Sequence, residues 1–143
     1  MNRFLLLSSE PLVGSGEVVV ELSHATVPTL ALELSLLLGG LADSVRLSAN
    51  SGASVILAVG GGDTVNKADV KRKSTDTVHF RLGTNQVEYL QAVLLRAYRD
   101  GAAEVNHVHV EGSDDDADYD LTLLFERFRE PMTGAEAMKL MDD

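Results

Sequence analysis

The stretch EVVVELSHATVPTLALELSLLL, residues 17–38, predicts a strand followed by a helix. Its first residues alternate in polarity, so that Val18, Val20 and Leu22 share one face, as in a half-buried strand. Thr26 is of a residue type that caps helices, and the Gly39-Gly40 pair weakens or ends the helix. Between these points leucines recur at helical spacing, at Leu30, Leu34, Leu37, Leu38 and Leu41.

The same order of elements is expected twice along the chain. Two short strands, 44–49 and 53–59, follow the first helix and are joined by the turn residues 50–52. A second alternating strand is predicted over 77–82, and a second helical stripe over 87–98. Two further strands are predicted over 105–110 and 119–126. Apolar positions of the first half, such as Val18, recur sixty positions later, as at Val78.

This pattern predicts one α+β domain over residues 1–143. Two tandem βαββ units, 17–59 and 76–126, are expected to form a mainly antiparallel sheet with both helices packed on one face. Residues 60–75 are interpreted as the linker between the units. An edge strand is expected at 4–7, and a capping box predicts a short C-terminal helix over 133–142.

The composition limits the classes of partner. The chain has 12 Lys and Arg against 22 Asp and Glu, a formal charge of −10. This charge repels phosphate backbones, so nucleic-acid binding is not expected, and it favours encounter with a basic protein. No apolar stretch suits a secretory signal or a membrane span. The absence of cysteine excludes disulfides, and a cytoplasmic location is expected.

The strand pattern places a group of polar side chains on the face opposite the helices. If Val108 and Val110 point toward the helices, their neighbours along the strand point the other way. The loop between the last two strands adds a run of aspartates. The candidate partner-binding residues are therefore His79, Arg81, His107, His109, Glu111, Asp114, Asp115, Asp116 and Asp120.

Two interpretations of the histidines stay open. A His-x-His pair on a strand can supply two ligands to a divalent metal, which makes His79, His107 and His109 the candidate ligands. Alternatively, the imidazoles pair with nearby acids on a solvated or partner-covered face. The sequence has no Gly-x-Ser-x-Gly motif and no cysteine nucleophile. A non-catalytic protein without a cofactor is therefore favoured over a small metal-dependent or acid–base enzyme.

The first helix also carries leucines outside its main stripe, at Leu32 and Leu36. Additional core beneath a terminal element is the simpler explanation. The alternative is a homodimer through this helix, because exposed apolar patches commonly mark interfaces.

Three segments of the second half resemble a known family. These are LGTNQVEYLQAVLLRAY at 82–98, HVHVEGS at 107–113 and YDLTLLFE at 119–126. They resemble immunity protein family 32, short bacterial proteins assigned as immunity partners in polymorphic-toxin systems. The resemblance implies a binding protein that masks a toxin domain. An acidic chain suits that role if the toxin is basic, since complementary charge speeds association.

Overall fold

The computed structural model describes residues 2–50, 52–60, 67–100 and 106–125. Its chain forms nine strands and two helices within these ranges. The first half contains β1 (Asn2–Leu6), β2 (Leu12–Val13), β3 (Glu17–Leu22), α1 (Thr26–Leu38), β4 (Ser44–Ser48) and β5 (Ser54–Val59). The second half contains β6 (Ala68–Arg72), β7 (Thr77–Leu82), α2 (Thr84–Asp100), β8 (His107–Ser113) and β9 (Asp118–Phe125).

All nine strands belong to one mixed sheet, in the order β1-β4-β5-β7-β6-β8-β9-β3-β2. The antiparallel pairs, β2–β3, β4–β5, β6–β7 and β8–β9, join strands that follow one another in the chain. The remaining pairs, β1–β4, β3–β9, β5–β7 and β6–β8, are parallel. The prediction of a mainly antiparallel sheet is therefore wrong. The β4–β5 and β8–β9 hairpins join neighbouring segments and were predicted from the sequence, whereas every parallel pair joins strands separated by at least one other element.

The sheet is strongly curved. β1 and β2 stand at opposite ends of the strand order, yet residues 7–11 alone connect them. From Leu6 to Leu12 the chain can reach about 22 Å at most. Nine flat strands would separate the two ends by about 38 Å. The two ends must therefore approach each other, and the sheet wraps around the apolar side chains on its inner face.

The core lies between this inner face and the two helices. Alternate strand residues are buried, among them Val18, Val78 and Phe80, and the helices contribute Leu34 and Leu94. Each such side chain stabilises the fold by roughly 1.5–3 kcal/mol when fully removed from water. The helices pack on each other, where the Gln91 side-chain amide donates to the carbonyl of Ala31 at 3.0 Å.

The segment predicted as a linker, 60–75, contains a strand. In β6, Ala68 and Val70 are buried while Asp69 and Lys71 are exposed. The strand was not predicted because this alternation covers only five residues, and its charged outward side chains made the segment resemble a solvated linker. β6 forms a hairpin with β7 ahead of α2, as β2 does with β3 ahead of α1.

The predictions for the two ends of the chain differ in outcome. The predicted edge strand at 4–7 corresponds to β1, which stands at one end of the strand order. The predicted C-terminal helix, 133–142, lies outside the described residues. Neither of the two helices described is long and apolar enough to cross a membrane.

Candidate functional site

The outer face of the sheet, turned away from the helices, carries three carboxylates in register. Glu111 of β8 stands opposite Asp120 of β9, and Asp120 stands opposite Glu17 of β3. Neighbouring strands are about 4.8 Å apart, so the row is about 10 Å long. We call Glu111, Asp120 and Glu17 the acidic row. Carboxylates this close repel one another, which favours a cationic group against them.

The histidine pair lies beside the acidic row. His109 Nδ1 is 2.9 Å from Thr122 Oγ1 and 3.2 Å from Asp120 Oδ2. The rings of His107 and His109 are nearly perpendicular, with their centroids 4.9 Å apart. His107 Nδ1 contacts the side-chain oxygen of Asn106. The prediction that both histidines face away from the helices is confirmed, because Val108 and Val110, which alternate with them along β8, are buried.

A shallow concavity of about 490 Å³ opens on this part of the surface. Its charged lining includes Lys67, whose Nζ lies 3.9 Å from Asp118 Oδ1. The full lining is Gly16, Lys67, His109, Glu111, Gly112, Asp118, Tyr119 and Asp120. The concavity has the size to receive one long side chain, and its acids suit a cationic one.

The acidic hairpin between β8 and β9 divides into a structural and an exposed part. One oxygen of Asp114 accepts hydrogen bonds from the backbone N–H groups of Asp116 at 2.8 Å and Ala117 at 2.7 Å. These bonds lower the pKa of Asp114. Its carboxylate therefore shapes the turn. Asp115 and Asp116 are exposed and remain available to a partner.

His79 and Arg81 lie in a different part of the outer face. Register places His79 between Ile56 of β5 and Lys71 of β6, and Ile56 stands opposite Arg46 of β4. We call Arg46, Ile56, His79 and Lys71 the basic row. The pKa of His79 is lowered, first by partial burial and then by the charges of Lys73, Lys71 and Arg81.

The structure does not bring the three candidate metal ligands together. β6 separates β7 from β8 in the sheet. On β6, Asp69 pairs with Ser113, which lies at the end of β8 farthest from the histidine pair. His79 of β7 pairs with Lys71, two residues beyond Asp69 on β6, and is therefore still more distant from that pair. Within residues 2–50, 52–60, 67–100 and 106–125, no group of three or more His, Asp or Glu side chains is arranged to hold a metal ion.

Three charged members of these rows were not among the candidate residues chosen from the sequence. Glu17, Arg46 and Lys71 all occupy outward positions of alternating strands, which is a signal that the sequence does contain. Their significance depends on the neighbours that pairing provides. Glu17 joins the acidic row only because β3 pairs in parallel with β9.

Comparison with known proteins does not assign the chain to a family. No family model matches the chain. No curated protein and no solved structure matches it either. The immunity-protein family expected from the three sequence segments therefore stays a prediction.

Proposed function

We propose that this chain is a non-catalytic protein-binding module whose acidic outer face receives a basic protein. The observation that carries the proposal is the register of Glu111, Asp120 and Glu17 across three adjacent strands. A basic partner would relieve their mutual repulsion and gain charge-assisted hydrogen bonds. Asp115 and Asp116, exposed at the hairpin tip, extend the negative field toward an approaching partner.

An apolar strip next to the acidic row supports the same proposal. Leu12 of β2 is 60% exposed and stands opposite Val19 of β3, and Leu124 of β9 is 40% exposed. Val19 in turn stands opposite Thr122, one outward position from Leu124. Protein interfaces commonly combine an apolar centre with a polar and charged rim. This strip and the acidic row have that composition.

The biological role we propose is that of an immunity protein that neutralises a cognate bacterial toxin. It is supported by the family-like segments of the second half and by the formal charge of −10. We further propose a cytoplasmic location, since a chain without cysteine suits a reducing compartment.

We also propose that the two halves are tandem βαββ units derived from one repeat. Strand, helix, strand and strand follow one another as β3-α1-β4-β5 and as β7-α2-β8-β9. Arg46 and Ile56 would then occupy the places that His109 and Thr122 occupy in the second unit. Under this proposal the units share a framework, and their outer faces differ in charge.

Co-expression with the product of the neighbouring gene tests the binding proposal. The wild-type chain should form a complex and protect the cell, whereas Glu111→Lys with Asp120→Lys should weaken binding roughly tenfold or more, because it places like charges together. Glu10→Lys with Glu88→Lys changes the net charge equally at exposed positions elsewhere and should retain binding. No complex and no protection with the wild-type chain would refute the proposal.

An acid–base enzyme is the second candidate, and the 3.2 Å approach of His109 to Asp120 is the observation that favours it. A carboxylate beside an imidazole orients the ring for proton transfer. Against it, both side chains lie about half exposed in a shallow surface, where water screens charge. A metal-dependent version predicts that the untagged protein contains a stoichiometric divalent metal, and elemental analysis decides this.

A further inference from the structure

The basic row stands out in a chain of negative net charge. Arg46, Ile56, His79 and Lys71 follow one another across four adjacent strands, β4, β5, β7 and β6. Arg81 lies one outward position from His79 on β7. The charges of Lys73, Lys71 and Arg81 all act on His79. Asp69 of β6 stands opposite Arg81, so the positive charge of this part of the outer face rests on Arg46, Lys71 and Lys73, although the chain carries a formal charge of −10.

We propose that the basic row binds the acidic row of a second copy of this chain. The acidic row spans two strand spacings, about 10 Å, and the basic row spans three, about 14 Å. Both rows lie on the convex outer face of one curved sheet, where they point in different directions. In a dimer, the acidic row of one copy therefore meets the basic row of the other.

Local charge decides this contact despite the net charge of each copy. At physiological ionic strength the Debye length is about 8 Å, so charges on distant parts of the two molecules are largely screened. Groups that meet in the interface lie closer than this and interact strongly. Arg46 and Lys71 would each face a carboxylate of the acidic row, with Ile56 providing apolar contact between them.

The dimer would cover the surface to which we assign the basic partner. The partner would then compete with a second copy for Glu111, Asp120 and Glu17. Only this consequence rests on the proposed function. The self-association itself does not, and it is measured without any partner.

Sedimentation velocity of the full chain at about 150 mM NaCl (low salt) and about 1 M NaCl (high salt) provides the test, because the charges on distant parts of the molecules are screened at both. We expect a concentration-dependent dimer at low salt whose dissociation constant rises roughly tenfold at high salt. Arg46→Glu with Lys71→Glu should give a monomer, as should Glu17→Lys with Glu111→Lys. An equimolar mixture of the two variants should again form dimers, because reversed rows complement each other. Circular dichroism verifies that each variant is folded.

Two matched variants sharpen the result. Glu10→Lys with Glu88→Lys alters the net charge as much as the second variant but leaves both rows intact, so it should still dimerise. Leu32→Glu tests the rival interface through α1, where Leu32 is 59% exposed. A strictly monomeric wild-type chain at low salt overturns the inference, and so does a dimer lost only in Leu32→Glu. Neither result affects the co-expression test of partner binding.

Discussion

Arg3 and Glu33 form a two-point ion pair that ties the first strand to the first helix. Arg3 Nε lies 2.8 Å from Glu33 Oε2, and Arg3 Nη2 lies 2.8 Å from Glu33 Oε1. The Glu33 side chain is only 5% exposed, whereas that of Arg3 is 40% exposed. The carboxylate raises the pKa of Arg3 by its hydrogen bond and its charge. The pair therefore holds β1, at one end of the sheet, against α1.

Removing only the cation should harm the fold more than removing both partners. Arg3→Met leaves the Glu33 carboxylate buried without its counter-charge, and an uncompensated buried charge is strongly destabilising. Arg3→Met combined with Glu33→Met replaces the pair by apolar contacts and should recover most of the loss. Urea unfolding of the two single variants and the double variant measures the coupling. Additive losses would show that the pair does not act as a unit.

Gly112→Ala should destabilise the junction between β6 and β8. A Cβ atom at Gly112 would lie 2.6 Å from Val70 Cγ2 and 3.2 Å from the carbonyl oxygen of Ala68. Relieving this overlap requires the Val70 side chain and the neighbouring β6 backbone to shift, at a cost of about 1–3 kcal/mol in the free energy of unfolding. Val70→Ala in the same chain should recover part of the loss. Gly39→Ala, where the added atom meets an ordinary contact at 3.4 Å, is the matched control.

His79 should make the fold sensitive to mild acid. Its pKa in the folded chain lies below the ordinary value of 6.5 because of burial and nearby cations. As the pH falls through that value, the unfolded chain takes up the proton first, so stability decreases. His79→Gln should lose less stability than wild type between about pH 7.5 and pH 5. Urea unfolding at both values checks this, and an NMR titration midpoint at or above 6.5 for His79 would contradict it.

Asp114 should behave differently from its two acidic neighbours. Its pKa is depressed by hydrogen bonds from the N–H groups of Asp116 and Ala117. The turn is therefore stabilised above the ordinary aspartate pKa of 3.8, and this contribution is lost as the pH falls through the lower folded value. Asp114→Ala should speed amide hydrogen exchange at Asp116 and Ala117, whereas Asp115→Ala should not. Equal protection of these two amides from exchange in both variants would contradict the structural role of Asp114.

The local elements were predictable because their signals are local. The strand at 17–22, the helix with Leu30 and Leu34, and the β4–β5 and β8–β9 hairpins were predictable from periodicity and turn residues, whereas β2 and β6 were not predicted. The start of α2 was less predictable. The sequence predicted a helical stripe from residue 87, whereas α2 begins at Thr84, and the side-chain oxygen of Gln86 accepts a hydrogen bond from the N–H of Gly83 at 3.0 Å. Helix ends are set less sharply by periodicity than helix interiors.

The sequence by itself determined which side chains face water. Alternation placed His107, His109 and Asp120 on the outer face before any pairing was known, because side chains in a strand point alternately to opposite sides. Only the tertiary structure decided which of them meet. The parallel pairing of β3 with β9 brings Glu17 to Asp120, and the position of β6 keeps His79 from the other histidines. Such pairings join distant segments, and their register depends on the packing of the whole core rather than on the residues of either strand.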